Sequence, residues 1–271
     1  MRPVNSPSRL TYVGHATVLL ELDGCRIITD PLLRDRVAFL RRRWPLAQPE
    51  RYRSVDAVLL SHLHRDHLDI ASLRRLGADV RILAPLGAAR PLARRGFHNV
   101  QELAPGDVAI VGRLAVQATY AAHDGRHGFG LAGECIGFVV MGPRRIYFAG
   151  DTDLFPEMAN LAGGPSPGAI PRLDVALLPI WGWWHTLRAD HMDPLRAAQA
   201  LTLLRPRLAI PIHWGTLHPI GVGRFEPRFL TVPAATFEQL AGELAPDVRI
   251  CILPPGDAVA LDALFEAAER S

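Results

Sequence analysis

Short apolar segments rich in β-branched and aromatic residues recur along the first half of the chain. Runs of this kind, bounded by Gly, Pro or Asp, are typical of strands. Turn-forming dipeptides join several of them, at Asp23-Gly24, Gly112-Arg113 and Gly142-Pro143, and these predict hairpins. The predicted strands in this half cover residues 10–13, 17–22, 26–29, 55–60, 80–83, 108–111, 114–120, 136–141 and 146–148.

Strand and helix patterns alternate in the remainder. Strands are predicted at residues 175–179, 208–212, 248–253 and 258–261. Helices are predicted at residues 69–76 and 88–95, from Asp193-Pro194 onwards, at residues 235–244 and at the end of the chain. No change of composition divides the 271 residues. The order of the elements predicts one α/β domain over residues 1–271, with sheets packed between helix layers.

The segment of residues 34–53 has no clear period and is rich in Arg, so it is predicted as a long loop with one turn of helix. Within it, the run Arg41-Arg42-Arg43-Trp44 is interpreted either as a solvated face or as a surface that steers an anionic or lipid head group. All 30 basic residues are Arg, but 27 acidic residues offset them and the net charge is only +3. A mixed-sign surface with no nucleic-acid partner is therefore expected.

Three scattered cysteines, Cys25, Cys135 and Cys251, make no disulfide framework. This usage favours a reducing compartment. The sequence has no apolar run long enough for a transmembrane segment, and its first residues lack the apolar region of a signal peptide. We therefore expect a cytoplasmic protein, and the sequence leaves a homo-oligomer open.

The strongest chemical feature is the run from Ser61 to His67, directly after the predicted strand at residues 55–60. It contains four candidate metal ligands within six residues: His62, His64, Asp66 and His67. Imidazole suits zinc, iron and copper, and a carboxylate accepts harder ions. In an extended turn, His62 and His64 project to the same side, and the other two lie beyond the bend. A polar surface loop does not account well for this density of ligands.

Three later residues, His123, Asp151 and His213, also follow predicted strands. Sites in α/β proteins assemble in loops at strand ends, so we expect these side chains to join the cluster. Seven ligands are too many for one tetrahedral zinc and fit two divalent ions, zinc or alternatively manganese or iron. We predict that one ion is held by His62, His64 and His123, and the other by Asp66, His67 and His213. Asp151 is predicted to bridge the two ions.

The pattern His-x-His-x-Asp-His with later His, Asp and His resembles the metal site of the metallo-β-lactamase fold, an αββα four-layer sandwich. Further segments are similar to the branch that holds N-acyl-phosphatidylethanolamine-hydrolysing phospholipase D and its bacterial relatives, with ascorbate-6-phosphate lactonase more distant. These are Gly14-His15-Ala16-Thr17, Thr29-Asp30-Pro31, Gly150-Asp151-Thr152, His191-Met192-Asp193-Pro194 and Ile212-His213-Trp214-Gly215-Thr216. Asp151 stands where many zinc β-lactamases carry Cys, which favours phosphodiester, thioester or lactone substrates.

The resemblance also implies supporting roles. Asp30 would accept the free ring N–H of a ligand histidine, although an Asp before Pro also starts turns. His15 would line the site or fill a polar niche in the core. His191 would face the substrate phosphate, or else it only neighbours the helix cap at Asp193. Independently of the resemblance, Trp181, Trp183 and Trp184 lie between a predicted strand end and His191, so they are expected to line a substrate pocket, with a buried core cluster as the alternative.

Two divalent ions would produce a metal-bridging hydroxide near neutral pH, and no serine or cysteine nucleophile is then needed. The candidate catalytic residues are Asp66, Asp151 and His191. We expect a dinuclear metal-dependent hydrolase, most readily a phosphodiesterase acting on a small-molecule or lipid-derived substrate. The alternatives are a lactonase or thioesterase with the same ions, and a non-catalytic metal-dependent binding protein. His127, in the glycine-rich loop of residues 125–133, is better explained as part of a surface loop than as part of a lid.

Overall fold

Two seven-stranded sheets dominate the computed structural model, which describes residues 7–46, 49–125, 131, 133–164, 170–182, 190–221 and 228–269. In the first sheet the spatial order is β17 (Ala258–Ala260), β1 (Arg9–Gly14), β2 (Thr17–Leu22), β3 (Cys25–Thr29), β6 (Ala57–Leu59), β7 (Ile82–Pro85) and β8 (Val100–Leu103). The strands from β17 to β3 pair antiparallel, and those from β3 to β8 pair parallel.

The second sheet mixes the two pairings in the same way. Its spatial order is β16 (Arg249–Ile250), β14 (Leu208–Ile212), β13 (Val175–Pro179), β12 (Arg145–Phe148), β11 (Ile136–Met141), β10 (Leu114–Tyr120) and β9 (Val108–Val111). The strands from β9 to β12 form an antiparallel meander. The strands from β12 to β16 are parallel, so their carboxyl ends lie at one edge of the sheet.

The described residues form five α-helices that cover the sheets: α1 (Ile70–Leu76), α2 (Ala89–Ala93), α3 (Pro194–Leu204), α4 (Val232–Leu244) and α5 (Leu261–Glu269). Short 3-10 helices lie at Pro49–Tyr52, Pro156–Leu161 and Arg228–Leu230. Asp69 caps α1, since its carboxylate accepts from the backbone N–H of Ser72. Asp193 caps α3 in the same way. No helix in the described part of the chain has both the length and the apolar character needed to cross a bilayer.

The apolar core has two main parts. Tyr12 and Leu20 from the first sheet and Phe138 from the second belong to one cluster, which also includes side chains of α3 and α4. The opposite face of the first sheet, with Val13 and Ile28, belongs to a second cluster that includes residues of α1 and α2. Alternate strand positions therefore face opposite layers. The result is the expected αββα sandwich, with a helix layer outside each sheet.

The prediction of a long loop over residues 34–53 is wrong in part: the expected turn of helix is present as the 3-10 helix Pro49–Tyr52, but the segment also contains two short strands. Part of this segment forms β4 (Arg36–Val37), which pairs with β5 (Leu40–Arg42). In turn, β5 pairs with β15 (Leu217–Pro219), and the three strands form a small third sheet. The strands are too short, and carry too many arginines, for an alternating pattern to be visible. Arg42 is also not on a solvated face, because it is buried and its guanidinium group donates to the carbonyl oxygens of Val13, Leu32 and Arg34.

Candidate metal centre

The candidate ligands lie in loops at the ends of strands. His62, His64, Asp66 and His67 follow β6, and His123, Asp151 and His213 follow β10, β12 and β14. Two further residues enter from the first sheet, His15 between β1 and β2 and Asp30 directly after β3. The convergence expected from the sequence is therefore present in the described part of the structure.

Three residues at this edge hold left-handed backbone conformations that side chains rarely adopt. The φ angles are 56° for His15, 30° for Asp30 and 62° for His213. The backbone also links two of these residues directly, because the N–H of His213 donates to the carbonyl oxygen of His15 over 2.8 Å. Such strained conformations persist only where surrounding contacts hold them, and they are concentrated at functional sites.

One group of three imidazoles presents its nitrogens to a common point. His64 Nδ1 lies 3.0 Å from His62 Nε2 and 3.3 Å from His123 Nε2. Nitrogens that coordinate one tetrahedral zinc at about 2.0–2.1 Å lie roughly 3.3 Å from one another. The spacing of the three rings therefore fits one divalent ion.

A second group centres on the carboxylate of Asp151. Its Oδ2 lies 3.2 Å from His67 Nε2, and its Oδ1 lies 3.3 Å from His213 Nε2. The Oδ2 atom of Asp66 lies 3.7 and 3.8 Å from the same two histidine nitrogens. His67 Nε2, His213 Nε2 and Asp151 Oδ1 are buried and have no hydrogen-bond partner among the described residues. Buried polar atoms without partners are costly, and a cation would satisfy all three.

The opposite ring nitrogens of four of these histidines are held by the protein. His67 Nδ1 lies 2.7 Å from Asp30 Oδ2, and His62 Nδ1 lies 2.9 Å from the hydroxyl of Ser61. His213 Nδ1 and His123 Nδ1 donate to the carbonyl oxygens of Trp181 and Asp190 over 2.6 and 3.0 Å. Contacts of this kind fix the tautomer and orientation of metal-binding rings.

The charge states also suit cation binding. Burial lowers the pKa of His62, His64 and His123, and it lowers the pKa of His213 to about 3. These rings are therefore neutral and carry a free lone pair. Burial acts to raise the pKa of both Asp66 and Asp151, but the neighbouring histidines outweigh it and hold both carboxyls ionised. Neutral imidazoles with carboxylates form a donor set for divalent metals.

Two histidines of the cluster have a carboxylate as a close charged neighbour: His15 contacts Asp66, and His67 contacts Asp30. His15 Nε2 lies 3.0 Å from Asp66 Oδ2, so this histidine contacts a candidate ligand directly. Burial acts to lower the pKa of His67, but the charges of Asp151, Asp66 and Asp30 raise it well above its usual range. A metal at this position would therefore displace a proton from His67.

His191 lies at the rim of the cluster. Its Nε2 is 3.2 Å from Asp151 Oδ2, and its Nδ1 is 3.2 Å from Asp190 Oδ1. Burial acts to lower the pKa of His191, but the two carboxylates overcome this and raise the pKa to about 9. Asp190 was missed by the sequence analysis, because its partner His123 is 67 residues away and no motif links the two.

The predicted aromatic pocket is described only in part. Trp181 is half-buried and packs against the main core cluster, and its main-chain oxygen contacts His213. Its side chain also borders a small cavity beside His15 and Leu217. Trp183, Trp184 and His127 lie outside the described residues.

Comparison with known proteins agrees with this geometry. The family model of the β-lactamase superfamily domain matches residues 25–214. The chain belongs to the β-lactamase superfamily. In this superfamily protein, the matched region includes Asp30 and every candidate ligand from His62 to His213.

Several relatives match over most of the superfamily protein's length. A UPF0173 metal-dependent hydrolase of Caldivirga maquilingensis is 32% identical over 255 residues, which is 93% of this chain and 97% of that protein. N-acyl-phosphatidylethanolamine-hydrolyzing phospholipase D 1 of Caenorhabditis elegans is 31% identical over 248 residues, covering 80% of this chain and 67% of the relative. Among solved structures, the metallo hydrolase Igni18 of Ignicoccus hospitalis has a TM-score of 0.70 at 26% identity, covering 94% of this chain and 98% of that one. The chain is thus part of a superfamily of metal-dependent hydrolases.

Proposed function

We propose that the protein is a dinuclear metal-dependent hydrolase that cleaves phosphodiesters. The observation that carries this proposal is the position of Asp151, whose carboxylate faces His67 and His213 while the three-histidine group lies beside it. One carboxylate between two donor sets is the arrangement that two neighbouring cations need.

In the proposed centre, His62, His64 and His123 would hold one ion, and Asp66, His67 and His213 would hold the other. Asp151 would be shared by the two. Two divalent ions, when bound, lower the pKa of water towards roughly 7 and stabilise negative charge on an attacked group. No zinc-specific feature is required, and manganese or iron would suit the same donors.

The chain's own residues supply orientation and a proton. Asp30 holds the ring of His67, and the main chain at Trp181 holds that of His213. His191 carries a proton at neutral pH, because two carboxylates raise its pKa to about 9. A cationic ring at the rim can hold a phosphoryl oxygen or protonate the leaving group. This cation, together with the similarity to a phospholipase D, favours phosphodiesters over carbonyl substrates.

The test combines metal analysis with a substrate panel. Elemental analysis of the purified protein should find about two equivalents of zinc, manganese or iron, as a dinuclear centre requires. The loaded protein should hydrolyse bis-p-nitrophenyl phosphate faster than a lactone or a thioester. A reversed order of rates would identify the lactonase or thioesterase alternative. Full activity of metal-free protein would overturn the mechanism.

The wider expectations stay predictions. They are a lipid-derived or small-molecule phosphodiester as the physiological substrate, a cytoplasmic location and one domain over residues 1–271. The three cysteines are free, which supports a reducing compartment.

A further inference from the structure

The side chain of Asp190 contacts two histidines that are far apart in the sequence. Its Oδ1 lies 3.2 Å from His191 Nδ1, and its Oδ2 lies 3.3 Å from His123 Nδ1. The backbone N–H of Asp124 also donates to Oδ2 over 3.4 Å. One carboxylate therefore uses both oxygens to connect the loop after β10 with the segment that leads into α3.

The two rings that Asp190 contacts present their other nitrogens to the candidate metal centre. His123 Nε2 lies 3.3 Å from His64 Nδ1, and His191 Nε2 lies 3.2 Å from Asp151 Oδ2. The rings of His123 and His191 themselves meet edge to face, with centroids 4.4 Å apart. A change in the position of Asp190 would therefore alter both rings on their metal-facing sides.

An ordinary structural role does not explain this carboxylate. The helix that follows has its own cap, because Asp193 accepts from the backbone N–H of Arg196 over 2.8 Å. The side chain of Asp190 is 25% exposed and could be fully hydrated, yet both of its oxygens face imidazoles. The sequence motifs of the site do not include this residue either.

We propose that Asp190 is a positioning residue that orients His123 as a metal ligand and His191 towards the substrate. This rests on the proposed function. The main-chain carbonyl oxygen of Asp190 accepts from Nδ1–H of His123 over 3.0 Å, and Asp190 Oδ2 lies 3.3 Å from the same nitrogen. Asp190 Oδ1 accepts from Nδ1–H of His191, so both rings present Nε2 to the candidate metal centre. Asp190 thereby links the geometry of the metal centre to that of the group that contacts the substrate.

The test uses Asp190→Asn, which keeps the shape of the side chain but removes one acceptor oxygen and the charge, together with Asp190→Ala. In protein labelled with ¹⁵N-histidine and stripped of metal, the ring signals of His123 and His191 should shift in both variants. In zinc-loaded protein, zinc affinity measured by chelator competition should fall about 10–100-fold. The value of kcat on bis-p-nitrophenyl phosphate should fall by a similar factor, with KM within about twofold.

Glu134→Gln is the matched control, since it removes the charge of an exposed carboxylate near the same loop. It should leave ring signals, zinc affinity and kcat unchanged. The proposal is overturned if the His123 and His191 signals of both Asp190 variants match the wild type, or if their zinc affinity and kcat stay within twofold of it. If the wild type itself binds no zinc, the proposed function fails, and the ring signals alone still decide whether Asp190 positions the two histidines.

Discussion

Asp30 and His67 form a buried pair behind the candidate metal centre. The distance from Asp30 Oδ2 to His67 Nδ1 is 2.7 Å, and neither side chain has any exposed surface. Asp30 also accepts from the backbone N–H and the hydroxyl of Ser61, over 2.7 and 2.5 Å. The pair therefore ties the end of β3 to the histidine-rich loop after β6.

Replacing Asp30 by Ala should weaken both metal binding and the fold. The variant leaves His67 Nδ1 and two donors of Ser61 without partners in a dry environment. Breaking a buried charged pair costs about 3–5 kcal/mol, and loss of a carboxylate behind a metal-binding histidine costs roughly 10–100-fold in metal affinity. Urea unfolding and zinc titration measure the two effects. A variant that unfolds and binds zinc like the wild type would show that the pair is not needed.

Asp151 is expected to bind metal without supporting the fold, so its replacement should lower activity while the protein stays folded. Asp151→Ala should lower kcat at least about 100-fold, equivalent to ~2.7 kcal/mol, because the carboxylate between the donor sets is lost. The fold should be retained, since Asp151 faces the ligand cluster and makes none of the strand pairings. Circular dichroism and kinetics on the same preparation check this. His64→Ala should behave alike, and near wild-type turnover in either variant would refute the ligand assignment.

His191 lies at the rim, so its removal should affect turnover more than metal content. His191→Ala should lower kcat by about 10²–10⁴-fold if the ring transfers a proton to the leaving group. Zinc content by elemental analysis should be nearly unchanged, because His191 contacts Asp151 and Asp190 and is not one of the proposed ligands. Unchanged kinetics would reduce His191 to a neighbour of the helix cap.

The strand-end position of the ligands was the most informative sequence signal. The strands before His62, Asp151 and His213 are largely apolar because they are buried on both faces, whereas the strand before His123 also carries Gln117 and the exposed Tyr120. Loops at strand ends are where sites of α/β proteins assemble. The position of each residue directly after a predicted strand therefore predicted that His62 and His213, which are 151 positions apart, lie close together. The pattern for β8 was missed, since Gln101 and Glu102 interrupt its apolar positions.

Other parts of the site have no local signal. Asp190 meets His123 only through the tertiary fold, and the residue types on either side of it carry no spacing that indicates the contact. Arg42 is a charged residue within a run of three arginines, and its buried guanidinium group is held by carbonyl groups that include those of Val13 in β1 and of Leu32 after β3. The positions of Asp190 and Arg42 both depend on tertiary contacts, which cannot be predicted from the pattern of residue types along the sequence.

Removal of the metal should lower thermal stability as well as activity. Metal binding would satisfy buried atoms of His67, His213 and Asp151 that make no hydrogen bond within the described part of the chain. At free zinc about 100 times Kd the stabilisation is ~2.7 kcal/mol, which raises Tm by roughly 5–10 °C in a protein of this size. Differential scanning calorimetry before and after chelation, and after zinc is restored, measures the shift. Equal melting curves in all three states would mean that the cluster does not bind zinc.

Two adjacent arginines in the small sheet should differ sharply in their contribution to stability. The guanidinium group of Arg42 is buried and donates to the carbonyls of Val13, Leu32 and Arg34 over 3.0, 2.6 and 3.0 Å. Burial lowers the pKa of Arg42, because the charged guanidinium group loses its contacts with water. The hydrogen bonds to the three carbonyls partly compensate for this loss. Val13 precedes the Gly14-His15 turn, and a Cβ built on Gly14 would lie only 2.9 Å from Arg42 Nη1.

Arg42→Met should therefore destabilise the fold by about 3 kcal/mol, because it leaves buried carbonyl groups without donors. Arg41→Met is the matched control: Arg41 is exposed on the same strand, and its loss should change the unfolding free energy by less than about 0.5 kcal/mol. Urea unfolding of both variants gives the comparison. The Arg42 variant should also lose zinc affinity, since the turn that places His15 against Asp66 would relax. Equal unfolding free energies for the two variants would mean that the buried guanidinium group contributes nothing to the stability of this edge.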